Sequence, residues 1–181
     1  MPADPGFTQL RTARLVIRRF HSQDLAVFAA YRSDPDVAKY QSWETYTVQE
    51  AEEFLRDMAD AHPGTPGEWF QFAAAERESS ELLGDVALRV DARDTSRAEL
   101  GVTLATAHQG KGYATEAVRA VADYAFERLG ATTVFAVADA RNRASVALLE
   151  RMGMRATTIE RVRFKGEWCD EHTYELRRDG G

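Results

Sequence analysis

Residues 109–118 read QGKGYATEAV: two glycines flank a lysine, and an amphipathic run follows at once. A segment of this kind can seat a phosphate. Glycine has no Cβ, so a diphosphate can approach the main chain closely. The start of a helix adds unpaired N–H groups and a partial positive charge. Other groups in the chain can move protons. Glu99 and Glu160 carry carboxylates, and Ser145 lies three residues after Asn142. Trp43, Glu44 and Tyr46 form a short aromatic-acidic stretch ahead of a helix. A carboxylate can relieve an ammonium, ordinary pKa about 10.4, of its proton, and a hydroxyl can protonate a leaving group.

Two familiar nucleotide loops fail on spacing. A P-loop requires GxxxxGK followed by Ser or Thr, but Gly112 follows Lys111 and Ala105 stands where the first glycine belongs. A dinucleotide fingerprint requires a third glycine at position 115, which is Thr115, and a first glycine tight against its strand. Here Ala105 to Gln109 intervene, and too few residues follow Asp139 for a doubly wound sheet. A glycine pair that only shapes a turn stays open at this point.

The bulk numbers narrow the class. With 181 residues, 44% hydrophobic and 29% charged, the chain fits one soluble domain, 1–181, with a core of about residues 10–177. A net charge of −6 argues against general nucleic-acid binding and suits a cationic or amine partner. The single cysteine, Cys169, excludes an intramolecular disulfide and a cysteine-based zinc cluster, and a core or surface thiol outweighs a nucleophile. His21, His62, His108 and His172 fall at no ligand spacing, so no metal is expected. The first residues lack the apolar centre of a signal peptide, and no apolar run is long enough to span a membrane. The expectation is a cytoplasmic protein that engages neither membrane nor nucleic acid.

These groups must be positioned by a succession of short elements. Strands are expected near 15–19, 69–76, 83–90, 99–104, 133–137, 158–164 and 172–177. A first helix should run from Ser22 as N-cap to about Arg32, with SDPD (33–36) stopping it. Thr47-x-x-Glu50 is a capping box ahead of Ala51, Phe54, Leu55 and Met58, all on one face. Val118, Val121, Ala122, Ala125 and Phe126 stripe a helix ended by Gly130, and another helix, 144–152, ends at Gly153. Two final strands meet across Lys165-Gly166. The order is α+β with a mixed sheet of about six to seven strands and about four helices.

Gln109-Gly110-Lys111-Gly112-Tyr113-Ala114 matches the acyl-CoA motif Gln/Arg-x-x-Gly-x-Gly/Ala at every fixed position. ELGVTL precedes it, Asn142-Arg143-Ala144-Ser145 and ALLERMGM follow, and SDPDVAKYQSW and GEWCDEHTYEL stand near the two ends. By these features, spread over about residues 10–177, the chain resembles the Gcn5-related N-acetyltransferase (GNAT) superfamily and its ribosomal-protein-alanine acetyltransferase (RimJ/RimL-like) branch. The resemblance implies a mixed, mostly antiparallel sheet with splayed central strands. It also implies acetyl-CoA as co-substrate and transfer of the acetyl group to an amine by direct attack.

Carried over residue by residue, the resemblance implies that Gly110, Lys111, Gly112, Tyr113, Ala114 and Thr115 hold the diphosphate. It implies that Val102, Thr103 and Leu104 pair with the pantetheine arm like an added strand, and that Asn142 holds that arm. Gln109 either touches the ligand or braces the loop, Lys111 is otherwise a solvated lysine, and Asn142 is otherwise a helix cap. Ser145 is the candidate acid for the departing thiolate, or a first-turn serine that satisfies backbone. Glu99 is the first candidate base, sharing a strand face with Gly101 and Thr103, or else a partner in an ion pair. Some relatives place a base where this chain has Val162, with Glu160 nearby on the same face, and Thr157 replaces a glutamate usual in the branch. Trp43, Glu44 and Tyr46 would wall the acceptor site, unless the two aromatics are lid packing. The acceptor is a small-molecule amine or a protein N-terminus. A homodimer fits the habits of such relatives. A catalytically silent acyl-CoA sensor on the same fold is the competing class.

Overall fold

A computed structural model describes residues 3–178. The outermost residues of the expected domain 1–181 lie outside that range. In chain order the elements are β1 (Gln9–Arg11), β2 (Leu15–Arg18), α1 (Leu25–Arg32), α2 (Pro35–Ala38), α3 (Val48–Asp60), β3 (Trp69–Glu76), β4 (Leu82–Val90), β5 (Arg97–Leu104), α4 (Tyr113–Glu127), β6 (Thr133–Asp139), α5 (Arg143–Arg151), β7 (Arg155–Phe164) and β8 (Glu167–Arg177).

The local causes are those the sequence encodes. Thr47 Oγ1 accepts from the Glu50 N–H at 3.2 Å while the Glu50 carboxylate takes the Thr47 N–H at 2.6 Å, which starts α3. The apolar stripe of α4 is buried, and Gly130 (φ +69°) closes its end. Lys165 and Gly166 both have positive φ, +48° and +85°, in the tight turn joining β7 to β8.

The strands form one eight-stranded sheet in the order β1-β2-β3-β4-β5-β6-β8-β7. Every neighbouring pair is antiparallel except β5 and β6. That parallel pair is short: it holds from Arg97/Thr133 to Glu99/Phe135 and no further. Beyond Phe135, β6 continues four residues to Asp139 without β5 beside it, so the two strands stand splayed as the resemblance implies. On one face α4 packs Val118, Val121 and Ala122 into the main core with Leu88, Leu100 and Val134. On the other, α1 and α3 build a second cluster around Phe28, Ala51 and Ala73. Phe28 stacks on Phe54 with ring centroids 5.2 Å apart.

Three local expectations change. Among the described residues the sheet has eight strands, because the three-residue edge strand β1 carries too little pattern to be read, and there are five α-helices. SDPD stops α1 but also starts α2: Asp34 accepts from the Asp36 N–H at 2.9 Å and Pro35 takes the first turn. Ser22 is not the cap of α1. It opens a 3-10 turn, Ser22–Asp24, where Asp24 accepts from the His21 N–H at 2.7 Å and pairs with buried Arg18.

Candidate active site

Strand β5 leads through a 3-10 turn, Thr106–His108, into the glycine segment. Two side chains hold that segment closed. Gln109 donates from Nε2 to the Leu104 carbonyl at 3.0 Å, and Lys111 from Nζ to the Ala107 carbonyl at 2.8 Å. Gln109 therefore braces the loop. Gly110 and Gly112 have φ of +73° and +80°, a region in which side chains are strained. A Cβ at Gly110 would meet nothing within 4 Å, so the space beside the backbone is open there. Among the described residues no side chain caps α4, whose N-cap is Gly112, so no side chain there takes the first-turn N–H groups of Tyr113, Ala114 and Thr115. Open space, left-handed glycines and an uncapped 15-residue helix fit a diphosphate.

The loop is anchored from a distant part of the chain. Glu116 accepts from the Thr12 hydroxyl at 2.5 Å, the Arg14 amide at 2.8 Å and Arg14 Nε at 2.7 Å. Arg14 also donates to the Lys111 carbonyl at 2.9 Å and lies over the Tyr113 ring at 4.3 Å. Burial works to raise the Glu116 carboxyl, but the bonds from Thr12 and Arg14 outweigh it and hold it below the ordinary glutamate value. Neither Arg14 nor Glu116 was found from sequence, since a pair about a hundred residues apart leaves no local pattern.

The second part of the site is the gap between β5 and β6. The register of β4 with β5 is unbroken from Ala98 to Leu104, so Glu99, Gly101 and Thr103 share a face opposite Leu100, Val102 and Leu104. Thr103 and Leu104 are buried and Val102 is half-buried. Glu99 sits where the strands part. Its carboxylate is held by Arg89, whose guanidinium stacks on Trp69 at 4.7 Å. With 17% of its side chain accessible, Glu99 can still reach water.

At the far side of the gap, Asn142 accepts from the Ser145 N–H at 3.2 Å and so caps α5. Among the described residues the half-buried Ser145 hydroxyl has no hydrogen-bond partner. Arg141 holds Asp139 through three contacts between 2.8 and 3.2 Å, and these bonds keep the Asp139 carboxyl below its usual range. Glu160 lies farther off, on β7 opposite Glu171, with Val162 opposite buried Cys169.

Trp43 and Tyr46 are half-buried and pack edge-on to each other at 5.9 Å, while Glu44 is exposed. Trp43 donates from Nε1 to the Arg32 carbonyl at 2.9 Å, and Tyr46 packs on Phe28. This loop is tied across the open end of the gap. Thr106 donates to Asp34 at 2.8 Å, Tyr40 to the Arg141 carbonyl at 3.2 Å, and Lys165 to the carbonyls of Ala38 at 2.7 Å and Trp43 at 2.6 Å. Residues 34–43 thus bridge the ends of β5 and β6 and the β7–β8 turn. In the sequence, Lys165-Gly166 signalled the turn and nothing of this contact.

The sequence and the fold that carry this geometry match known proteins. Residues 14–155 match the family profile described as Acetyltransferase (GNAT) domain. The chain belongs to the GNAT acetyltransferase family. Over 170 residues, 92% of this GNAT chain and 94% of the relative, it is 29% identical to the uncharacterized N-acetyltransferase p20 of Bacillus licheniformis. A solved structure from Vibrio cholerae, of a protein with a proposed ribosomal-protein-serine acetyltransferase activity, is 28% identical with a TM-score of 0.79, covering 96% of this chain and 99% of that one. The spermidine N-acetyltransferase of Vibrio cholerae, solved with CoA and spermine, shares the fold: 20% identity, TM-score 0.78, covering 92% of this chain and 96% of that one. Among the described residues of this GNAT domain, no helix is long and apolar enough to cross a membrane.

Proposed function

We propose that the chain is an acetyl-CoA-dependent N-acetyltransferase acting on a primary amine, a protein N-terminus or a small amine, by direct attack with both substrates bound. The observation that carries this reading is the parting of β5 and β6 immediately after Glu99 and Phe135, beside the uncapped start of α4. A placement in the RimJ/RimL-like branch draws support from Gln109–Ala114, from Asn142–Ser145 and from the likeness to the Vibrio cholerae protein at 28% identity.

When bound, acetyl-CoA supplies a thioester carbonyl for attack and a thiolate as leaving group. The main chain of residues 110–115 holds its diphosphate, and β5 from Val102 to Leu104 offers ladder groups that β6 no longer uses. A backbone donor there polarises the carbonyl. Glu99, directly or through water, takes the proton that the attacking ammonium must lose, since few amines are neutral at physiological pH. Ser145 gives a proton to the departing sulfur. Asn142 fixes the first turn of α5 and with it the place of Ser145. Trp43, Glu44 and Tyr46 border the acceptor.

One observation favours the silent-sensor reading: the carboxylate of Glu99 is already engaged by Arg89. An acetyl-transfer screen over amines and N-terminal peptides, followed by thiol release, separates the two. Turnover of at least one amine supports the transferase. Acetyl-CoA binding with no turnover across the panel supports the sensor, and no thermal shift with acetyl-CoA removes both.

A further inference from the structure

We infer that Tyr31, Arg32 and Asp85 are positioning residues for the acceptor, a buried ion pair that locks the Trp43 loop onto the strand next to the acyl-binding strand. The inference rests on the acceptor role of that loop proposed above.

Asp85 lies on β4, 1% exposed, directly opposite Thr103 on β5. The two strands are pinched at this row. A Cβ on neighbouring Gly84 would run into the Thr103 carbonyl oxygen and lie 2.8 Å from Leu104 Cα. Asp85 is therefore fixed relative to Thr103. From α1, Tyr31 donates its hydroxyl to Asp85 at 2.5 Å and Arg32 donates from Nη2 at 3.2 and 3.3 Å. Burial pushes the Tyr31 phenol well above its ordinary pKa and the Asp85 charge adds to this, so Tyr31 remains a donor. Burial opposes the Arg32 charge, but the facing Asp85 carboxylate favours it and the guanidinium stays above its ordinary pKa, so Arg32 remains a cation.

The guanidinium is enclosed by aromatic rings: Trp43 at 4.2 Å, Phe28 at 4.6 Å, Phe54 at 5.2 Å and Tyr46 at 5.4 Å. Arg32 holds Trp43 twice, through this stacking and through its own carbonyl, which accepts from Trp43 Nε1. The Trp43 carbonyl in turn takes Lys165. A continuous set of contacts runs from the row of Thr103 through Asp85 and Arg32 to the Trp43 loop and the β7–β8 turn.

Stability does not account for the pair. A buried ion pair offsets its desolvation only when its polar atoms are fully satisfied, and apolar replacements of similar volume are often as stable or more so. Arg32 Nε is buried without a partner among the described residues. What the pair supplies beyond apolar packing is direction. Asp85 fixes where Nη2 lies, and the guanidinium anchored there carries the Trp43 ring stacked on it, which ties that loop to the row of Thr103.

The test uses the triple variant Tyr31→Phe/Arg32→Met/Asp85→Val of the full chain, read by melting, by amide hydrogen exchange and by kinetics with an amine that the wild type accepts. Melting should stay within about 5 °C of wild type. Amides of residues 34–47 should exchange about tenfold faster while β4 and β5 keep their protection. The acceptor KM should rise about tenfold, with the acetyl-CoA KM within about twofold. A folded triple variant with unchanged exchange and unchanged acceptor KM overturns the inference. Should the triple variant not fold, Trp43→Phe removes the Nε1 bond and shrinks the ring stacked on Arg32, and a shift of about threefold in the exchange of residues 34–47 is expected, no shift being the refutation. A wild type that acetylates no amine sinks the transferase reading and the acceptor role with it, and the exchange comparison then decides only whether the pair holds residues 34–47 against β4 and β5.

Discussion

Glu99 and Phe135 are the last register partners that β5 and β6 share. Toward the sheet side of that pair, the parallel ladder is intact. Beyond it, one edge of β5 is free over the residues that lead into the glycine loop, and Arg89 holds the Glu99 carboxylate at the apex. A ligand that adds as a strand along Val102–Leu104 therefore ends its reacting group near Glu99, and its phosphates near α4, without a change in the fold.

Glu99→Gln tests the proton role. The value of kcat/KM for an accepted amine should fall about 100-fold or more, as expected for loss of a general base. The thermal shift given by acetyl-CoA should not change, because Glu99 has no part in holding the phosphates. Arg89, left alone, remains partly solvated on Trp69, so the melting temperature should move little. Wild-type kcat/KM in this variant would remove Glu99 as the base.

The two loop glycines separate strain from ligand contact. Gly110→Ala introduces no collision, only a side chain at φ +73°, which costs about 1–2 kcal/mol of stability. Gly112→Ala carries the same strain at φ +80° and also crowds Arg14 Nη2 at 3.3 Å. If the open space at Gly110 receives the diphosphate, calorimetric titration should show acetyl-CoA affinity in Gly110→Ala reduced by more than tenfold, beyond what the strain explains. Equal acetyl-CoA affinity in wild type and Gly110→Ala would place the diphosphate elsewhere.

Asn142 and Ser145 should part company when replaced. Asn142→Ala removes the cap of α5 and should cost about 1 kcal/mol, seen as a drop of a few degrees in melting. Asn142→Asp keeps a capping oxygen and should restore the melting temperature, so any remaining weakness in acetyl-CoA binding belongs to the lost amide donor. Ser145→Ala touches only a hydroxyl that has no partner among the described residues and should leave melting unchanged while kcat falls about tenfold. A Ser145→Ala enzyme with full kcat would return the serine to a backbone role.

Legibility followed the range of each interaction. Thr47 and Glu50 could be read because a capping box is complete within four residues, and the α4 stripe because burial repeats with the helix turn. The glycine loop could be read because left-handed backbone selects glycine at fixed offsets. Arg32, Asp85, Tyr31, Lys165 and the Arg14–Glu116 pair could not. Each stands in no local motif, and its role exists only once elements dozens of residues apart meet. Glu99 stands between these cases. The strand pattern gave its face, while the ion pair with Arg89 depends on the pairing of β4 with β5.

Glu116 links the loop's anchorage to pH. Its folded pKa lies below the ordinary glutamate value, so it contributes stability that is fully present above the unfolded pKa and is lost as pH falls through the folded one. The difference in melting temperature between wild type and Glu116→Gln should therefore be full at neutral pH. It should begin to close below about pH 4.3, the unperturbed glutamate value, and vanish once the carboxyl is protonated. Thermal melts of both proteins across that range measure it. A difference that stays constant into acid would mean that the bonds from Thr12 and Arg14 act through shape alone, with no contribution from the carboxylate charge. Because Arg14 reaches from Glu116 to the Lys111 carbonyl, the same variant should weaken acetyl-CoA binding at neutral pH, where the anchorage is otherwise intact.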